Sequence, residues 1–178
     1  FILLEPGGYM DVTKARYNPI NNRKVRVEGA TWHPSKNYKV KLEGARIVGY
    51  QTSLLVLLRE NNYVKNVREW TEKLLNFLKK EIKLRMKLDI SDYSLDFRHI
   101  GINSTLGELE KNEGNPVEVG VLCIVTSKNN NISIEIAKLI NPFLLHFPLT
   151  VNEELPTFAF PYSPVHSDRG CVYEFSLN

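Results

Sequence analysis

The chain has 178 residues, 43% hydrophobic and 24% charged, with 23 Lys and Arg against 20 Asp and Glu, which gives a net charge of +3. That length suits one domain of ordinary size, or one core with a small N-terminal attachment, and is enough to bury a proper core without covalent staples. The basic residues are interleaved with acidic ones instead of gathered with aromatics in one register, and no RNP, zinc-finger or helix-turn-helix pattern occurs, so no nucleic-acid partner is expected.

No uninterrupted apolar run approaches the roughly 20 residues of a membrane helix, so no membrane partner is expected either. The opening residues, FILLEPGGYM, lack the basic start and small-residue cleavage site of a signal peptide. A start at Phe1 reads as a cut end, and the expected location is the cytoplasm. Cys123 lies in the apolar run VGVLCIV and Cys171 opens the last predicted strand. Their spacing suggests neither a metal knuckle nor a disulfide framework, so two reduced structural thiols are expected.

In chain order, residues 1–22 are rich in Pro, Gly and Asn and read as an extended entry segment, with turns at Pro6-Gly7-Gly8 and at Asn18-Pro19. Val25 and Val27 alternate with Lys24 and Arg26 as a short strand ending at Gly29, and Trp32-His33-Pro34 reads as a loop. Residues 1–36 are thus an N-terminal extension with a short strand, and residues 37–178 an α+β domain. Tyr38, Val40 and Leu42 alternate with charged residues as a half-buried strand punctuated by Gly44 and Gly49, and Ser53 to Leu58 is too apolar to face water.

From Asn62 to about Arg85 the period becomes helical, with Tyr63, Val67, Trp70, Leu74, Leu78 and Ile82 on one stripe and Asn61 or Asn62 available as cap. Arg68, Glu69 and the lysines fill the solvated face. Tyr93, Leu95 and Phe97 mark the next strand, ending near Gly101, and NSTLGELEKNEGNP, Asn103 to Pro116, is a polar loop of the length that often carries function. Val117 to Thr126 reads as a central strand. A second helix follows, capped by Asn130 or Asn131, with Ile132, Ile136, Leu139, Ile140 and Phe143 as its stripe and Pro142 expected to kink or end it. Phe158 and Phe160 form a short strand, Pro161 to Gly170 a turn-rich loop, and Cys171 to Leu177 the closing strand. Two strand-helix-strand halves of this kind favour a ferredoxin-like two-layer sandwich, a largely antiparallel sheet with two main helices on one face plus extra N-terminal strands.

Candidate chemistry is sparse. His33, His99, His146 and His166 have no second ligand at metal spacing, and there is no nucleotide-binding glycine loop or nucleophile elbow, so neither metal nor cofactor is expected. His99 beside Arg98 is a candidate strand-end binding pair. Glu108 and Glu110 in GELE can supply a base or bind a cation, although carboxylates in a polar loop are more often simply solvated. Lys39 and Lys41 share a strand face that can meet an anionic ligand such as an acyl-CoA phosphate, with Arg98 as neighbour. No catalytic residue is assigned.

Three segments, KVRVEGATWHPSKNYKVKLEGARIVGYQ (24–51), GELEKNEGNPVEVGVLCIV (107–125) and PTFAFPYSPVHSDRGCVYEFSLN (156–178), resemble the C-terminal part of the acyclic terpene utilisation protein family. Val165-His166-Ser167-Asp168, in place of a more apolar proline turn, and Pro142 depart from that pattern. The resemblance implies a C-terminal domain preceded by a larger N-terminal α/β domain or subunit. It further implies a setting in acyclic terpenoid or acyl-CoA breakdown, with part of a ligand site at a domain interface. The alternative expectation is a structural assembly module that mediates oligomerisation, including a homo-oligomer, or subunit contact.

Overall fold

Short strands separated by turns make up the N-terminal residues, and the alternation of Val25 and Val27 with Lys24 and Arg26 forms one of them as expected. The structure, a computed structural model, describes residues 2–5, 7–37, 44–112, 114–152 and 154–176. It divides into one unit of residues 1–45 with 175–178 and a second of residues 46–174.

In the first unit, β1 (Ile2–Glu5), β2 (Gly8–Asp11), β3 (Arg16–Asn21), β4 (Lys24–Glu28) and β5 (Thr31–Pro34) follow in order. β1, β2 and β5 form an antiparallel sheet with β2 central, and β3 pairs with β4 as a separate ribbon. Two expectations are corrected here. Asn18-Pro19 lies inside β3 rather than in a turn, because the reversal is made further on, where the Asn21 Oδ1 accepts from Arg23 N at 2.9 Å. Pro19 is tolerated in a two-stranded ribbon whose register shifts beside it. Trp32-His33-Pro34 is β5 instead of a loop, because Pro34 ends an edge strand where its missing N–H costs no ladder bond.

The second unit opens with β6 (Ala45–Leu58), a single strand that runs straight through Gly49. A Cβ on Gly49 would lie 2.8 Å from the Ser127 carbonyl oxygen, so glycine permits the close approach of β8 and does not break the strand. The strand expected at Tyr38, Val40 and Leu42 falls outside the described residues. Helices α1 (Asn61–Lys65) and α2 (Val67–Met86) follow, then β7 (Tyr93–Ile100), β8 (Val119–Ser127), α3 (Asn130–His146), β9 (Phe158–Ala159) and β10 (His166–Phe175). The sheet order is β10-β6-β8-β7, with β9 alongside β6, and the β6–β8 and β7–β8 pairs are antiparallel.

Alternation decides which face of this sheet is the core. Thr52, Leu54, Val56 and Leu58 of β6 and Val121, Cys123 and Val125 of β8 are buried against the helical stripe, with Tyr63 of α1 and Val67, Trp70, Leu74, Leu78 and Ile82 of α2 all buried as the helical period predicts. Ile136, Ala137, Ile140 and Leu144 of α3 complete the cluster, and the Thr52 and Ser133 hydroxyls meet at 2.9 Å within it. Burial pushes the Cys123 thiol far above its ordinary value. Among the described residues both cysteines are free, and Cys171 is half-buried.

Helix ends differ from expectation by small steps. Glu60, not Asn61 or Asn62, precedes α1 and supplies no side-chain cap. The helical run breaks for one residue at Asn66, whose Nδ2 turns back to Asn62 O and Oδ1, each at 2.9 Å. Asn129 rather than Asn130 or Asn131 caps α3, its Oδ1 accepting from Asn131 N at 2.9 Å and Ile132 N at 3.4 Å. α3 also continues through Pro142 to His146. Packing of the residues beyond it, with Phe143 and Phe147 both against Phe77, holds the last turn in place. The closing strand begins at His166, five residues earlier than expected, and is hydrogen-bonded to β6; inside it Asp168 Oδ1 accepts from Gly170 N in a local turn, with Gly170 at φ +73°, while Oδ2 accepts from Asn130 Nδ2.

Leu74 is fully buried and Leu84, ten residues on in α2, is 65% exposed. Leu74→Ala is therefore expected to cost about 2–5 kcal/mol of unfolding free energy in a urea titration. Leu84→Ala should stay within roughly 0.5 kcal/mol, and equal losses would contradict the placement of the stripe.

Candidate functional site

Strand β7 is an edge strand, and its alternation sends Tyr93, Leu95, Phe97 and His99 toward the helices and Asp96 and Arg98 the other way. At its end, Ile102 N and Asn103 N both donate to His99 O at 3.1 Å, around Gly101, whose φ of +101° favours glycine. This tight reversal brings Asn103 back beside His99. Gly107 N then donates to Asn103 O at 2.8 Å, and a single 3-10 turn, Gly107–Leu109, presents Glu108 and Glu110.

The result is a polar hollow of about 350 Å³ lined by Arg68, His99, Asn103, Glu108 and Glu110. His99 is 8% exposed. Its Nε2 lies 3.0 Å from Thr71 Oγ1, which is itself 2.9 Å from Val67 O and 3.0 Å from Arg68 O in the preceding turn of α2. Burial lowers the affinity of His99 for a proton, partly offset by its hydrogen bond to the Asn103 side chain, while the Arg68 charge lowers it further and Asp96 raises it. The imidazole is thus held by α2 on one side and the loop on the other, and is driven toward its neutral form. Glu110 is half-buried and its Oε1 accepts from Asn112 N at 2.8 Å.

Of the residues singled out from sequence, the fold brings together His99, Glu108 and Glu110. Arg98 leaves β7 on the opposite face and pairs with Asp96 at 2.9 Å, so it is absent from this lining, but with His99 and Asn103 it borders an adjoining hollow of about 430 Å³ at the open edge of the strand. Lys39 and Lys41 lie outside the described residues. Arg68, Thr71 and Asn103 are the members that sequence reasoning passed over. Arg68 sat among charged residues on the solvated side of the helix, and nothing local signals that the loop after β7 folds back to it.

Chemically, the hollow offers a guanidinium, two carboxylates and an amide around an imidazole engaged by Thr71 and Asn103. Such a set can orient a polar ligand through donors and acceptors. A His99 acting as a general base would first have to give up the hydrogen bonds that position it. Among the described residues, no group of three or more His, Cys, Asp or Glu side chains is arranged to hold a metal ion, and no helix is long and apolar enough to cross a membrane. No protein-family model matches the chain, and neither a curated protein nor a solved structure matches it.

Because the folded state depresses the His99 pKa below its ordinary 6.5, the unfolded chain takes up this proton first as pH falls. Its contribution to stability is present above about pH 6.5 and is lost as pH drops from there through the folded value. Urea unfolding between neutral and mildly acidic pH should therefore show a steeper loss in the wild-type chain than in His99→Gln. Parallel profiles would mean that the imidazole is not held neutral.

Proposed function

We propose that this chain is the C-terminal, non-catalytic α+β domain of a cytoplasmic protein of acyclic terpenoid or acyl-CoA catabolism, and that it contributes residues to a ligand site shared with an N-terminal α/β domain or subunit. The observation that carries this reading is the polar hollow, where His99, Glu108 and Glu110 meet Arg68 and Asn103 with no hydroxyl, thiol or amine among the lining side chains. The resemblance of the 24–51, 107–125 and 156–178 segments to the acyclic terpene utilisation family supplies the metabolic context. We further propose a ferredoxin-like topology for residues 46–174. The order strand, helix, two strands, helix, strand supports it, as does the sheet order β10-β6-β8-β7. In this reading Arg98, which borders the adjoining hollow with His99, serves the anionic end of an acyl-CoA-type ligand.

A second reading, an assembly module, is favoured by one feature of the first unit. The β3–β4 ribbon is exposed along its whole length, and Tyr17 and Val27, directly opposite one another, are 67% and 52% accessible. A two-stranded ribbon is at best marginally stable alone, so a covering partner, including a second copy, would serve it.

Thermal unfolding against a panel of acyl-CoA and acyclic terpenoid-CoA compounds tests the first reading. A ligand at one hundred times its Kd adds about 2.7 kcal/mol, or roughly 5–10 °C for a chain of this size. The shift should shrink in Asn103→Ala and Glu110→Gln. No shift with any compound, together with a dimer in sedimentation, would replace ligand binding with assembly.

A further inference from the structure

The face of the second unit's sheet turned away from α2 and α3 carries a larger hollow of about 790 Å³, within the range of small-molecule sites. Its floor is aliphatic: Leu55 of β6 and Leu122 and Ile124 of β8 are half-buried there, and Ile100 of β7 closes one side. Gln51 and Ser53, on the same face of β6 as Leu55, are the polar interruptions in that floor. Gln51 Nε2 is pinned by Thr126 Oγ1 at 3.1 Å, whereas the half-buried Ser53 hydroxyl hydrogen-bonds none of the described residues. The segment 162–169 stands over the floor as a wall, so a flat protein surface would not reach the aliphatic residues, while a small molecule would.

The mouth carries one charge of each sign, differently engaged. Asp168 accepts from Asn130 Nδ2 and from the Gly170 amide, and these hydrogen bonds hold it as a carboxylate and direct its oxygens to partners within the chain. The Asp96 carboxylate on the neighbouring strand is paired with Arg98. Arg169, in contrast, is exposed and forms no ion pair with the described residues. We propose that this hollow is a binding site for a small amphipathic anion, a carboxylate on a hydrocarbon body. The hydrocarbon lies on Leu55, Leu122 and Ile124 and the carboxylate meets the Arg169 guanidinium, with Ser53 as a further hydrogen-bonding group. This site is separate from the His99 hollow, which opens on the helix side.

The test is titration of the full chain with octanoate, and with octanol as its uncharged counterpart, followed by amide proton–nitrogen correlation spectra. Saturable shifts are expected along 51–57, 120–126 and 165–169, with octanoate binding roughly tenfold tighter than octanol, since one charge-assisted hydrogen bond contributes about that factor. Arg169→Ala should remove the octanoate advantage. Ser53→Phe, which fills the floor, should abolish binding of both, with unchanged resonances in α2 confirming the fold. The proposal is overturned if no shift saturates, if the shifts map to Arg68, His99 and 103–110, or if Arg169→Ala leaves the octanoate-to-octanol ratio as it was. Those outcomes are read independently of any acyl-CoA effect on the His99 hollow.

Discussion

Two buried aromatic side chains with satisfied polar tips, Tyr63 of α1 and Trp70 of α2, fix the helices on which the second unit depends. Tyr63 Oη donates to Glu154 O at 2.9 Å and accepts from Leu149 N at 3.1 Å, and Trp70 Nε1 donates to Phe147 O at 2.8 Å. Their rings meet edge to face, with centroids 6.1 Å apart. An indole or phenol buried without a partner would carry a desolvation penalty of about 1–3 kcal/mol, so the Tyr63 bonds seat α1 and the Trp70 bond sets the depth and rotation of α2. Thr71 follows Trp70 directly, and the helix rotation that buries the indole also aims the Thr71 hydroxyl at His99. The polar hollow is thereby coupled to the core.

The hollow also depends on a constraint of strands. Successive side chains of β7 leave opposite faces, so one strand serves two surfaces: His99 faces α2, while Asp96 and Arg98 form a pair on the other side. Ile100 returns to that other side and borders the larger hollow. Neighbouring residues in sequence are in this way committed to different surroundings, one walled by a helix and a loop, the other by the segment leading into β10.

Much of the fold was legible because its signals are periodic. The α2 stripe could be read off at 3.6-residue spacing, and β7 and β8 by alternation and β-branched content. Features that depend on a single residue were harder. Asn61, Asn62 and Asn66, and again Asn129, Asn130 and Asn131, offer several chemically equal caps, and which one serves depends on where the preceding strand releases the chain. Pro19, Pro34 and Pro142 suggested breaks, yet edge positions absorb the first two and aromatic packing against Phe77 retains the helix around the third. His99, Glu108 and Glu110 could be singled out by type, but Arg68, Thr71 and Asn103 join them only through the reversal at Gly101 and the packing of α2, which no local pattern encodes.

The sealed thiol in the middle of β8 has a practical side. Cys123 is fully buried and its deprotonation is strongly disfavoured, so it offers almost no thiolate to an electrophile while the chain is folded. Cys171, half-buried in β10, is the thiol within reach. Toward an alkylating reagent the native chain therefore behaves as if it held one cysteine. A reporter attached there would sit two residues from Arg169 without any cysteine having to be removed, and the appearance of a second label would count unfolding of the sheet core.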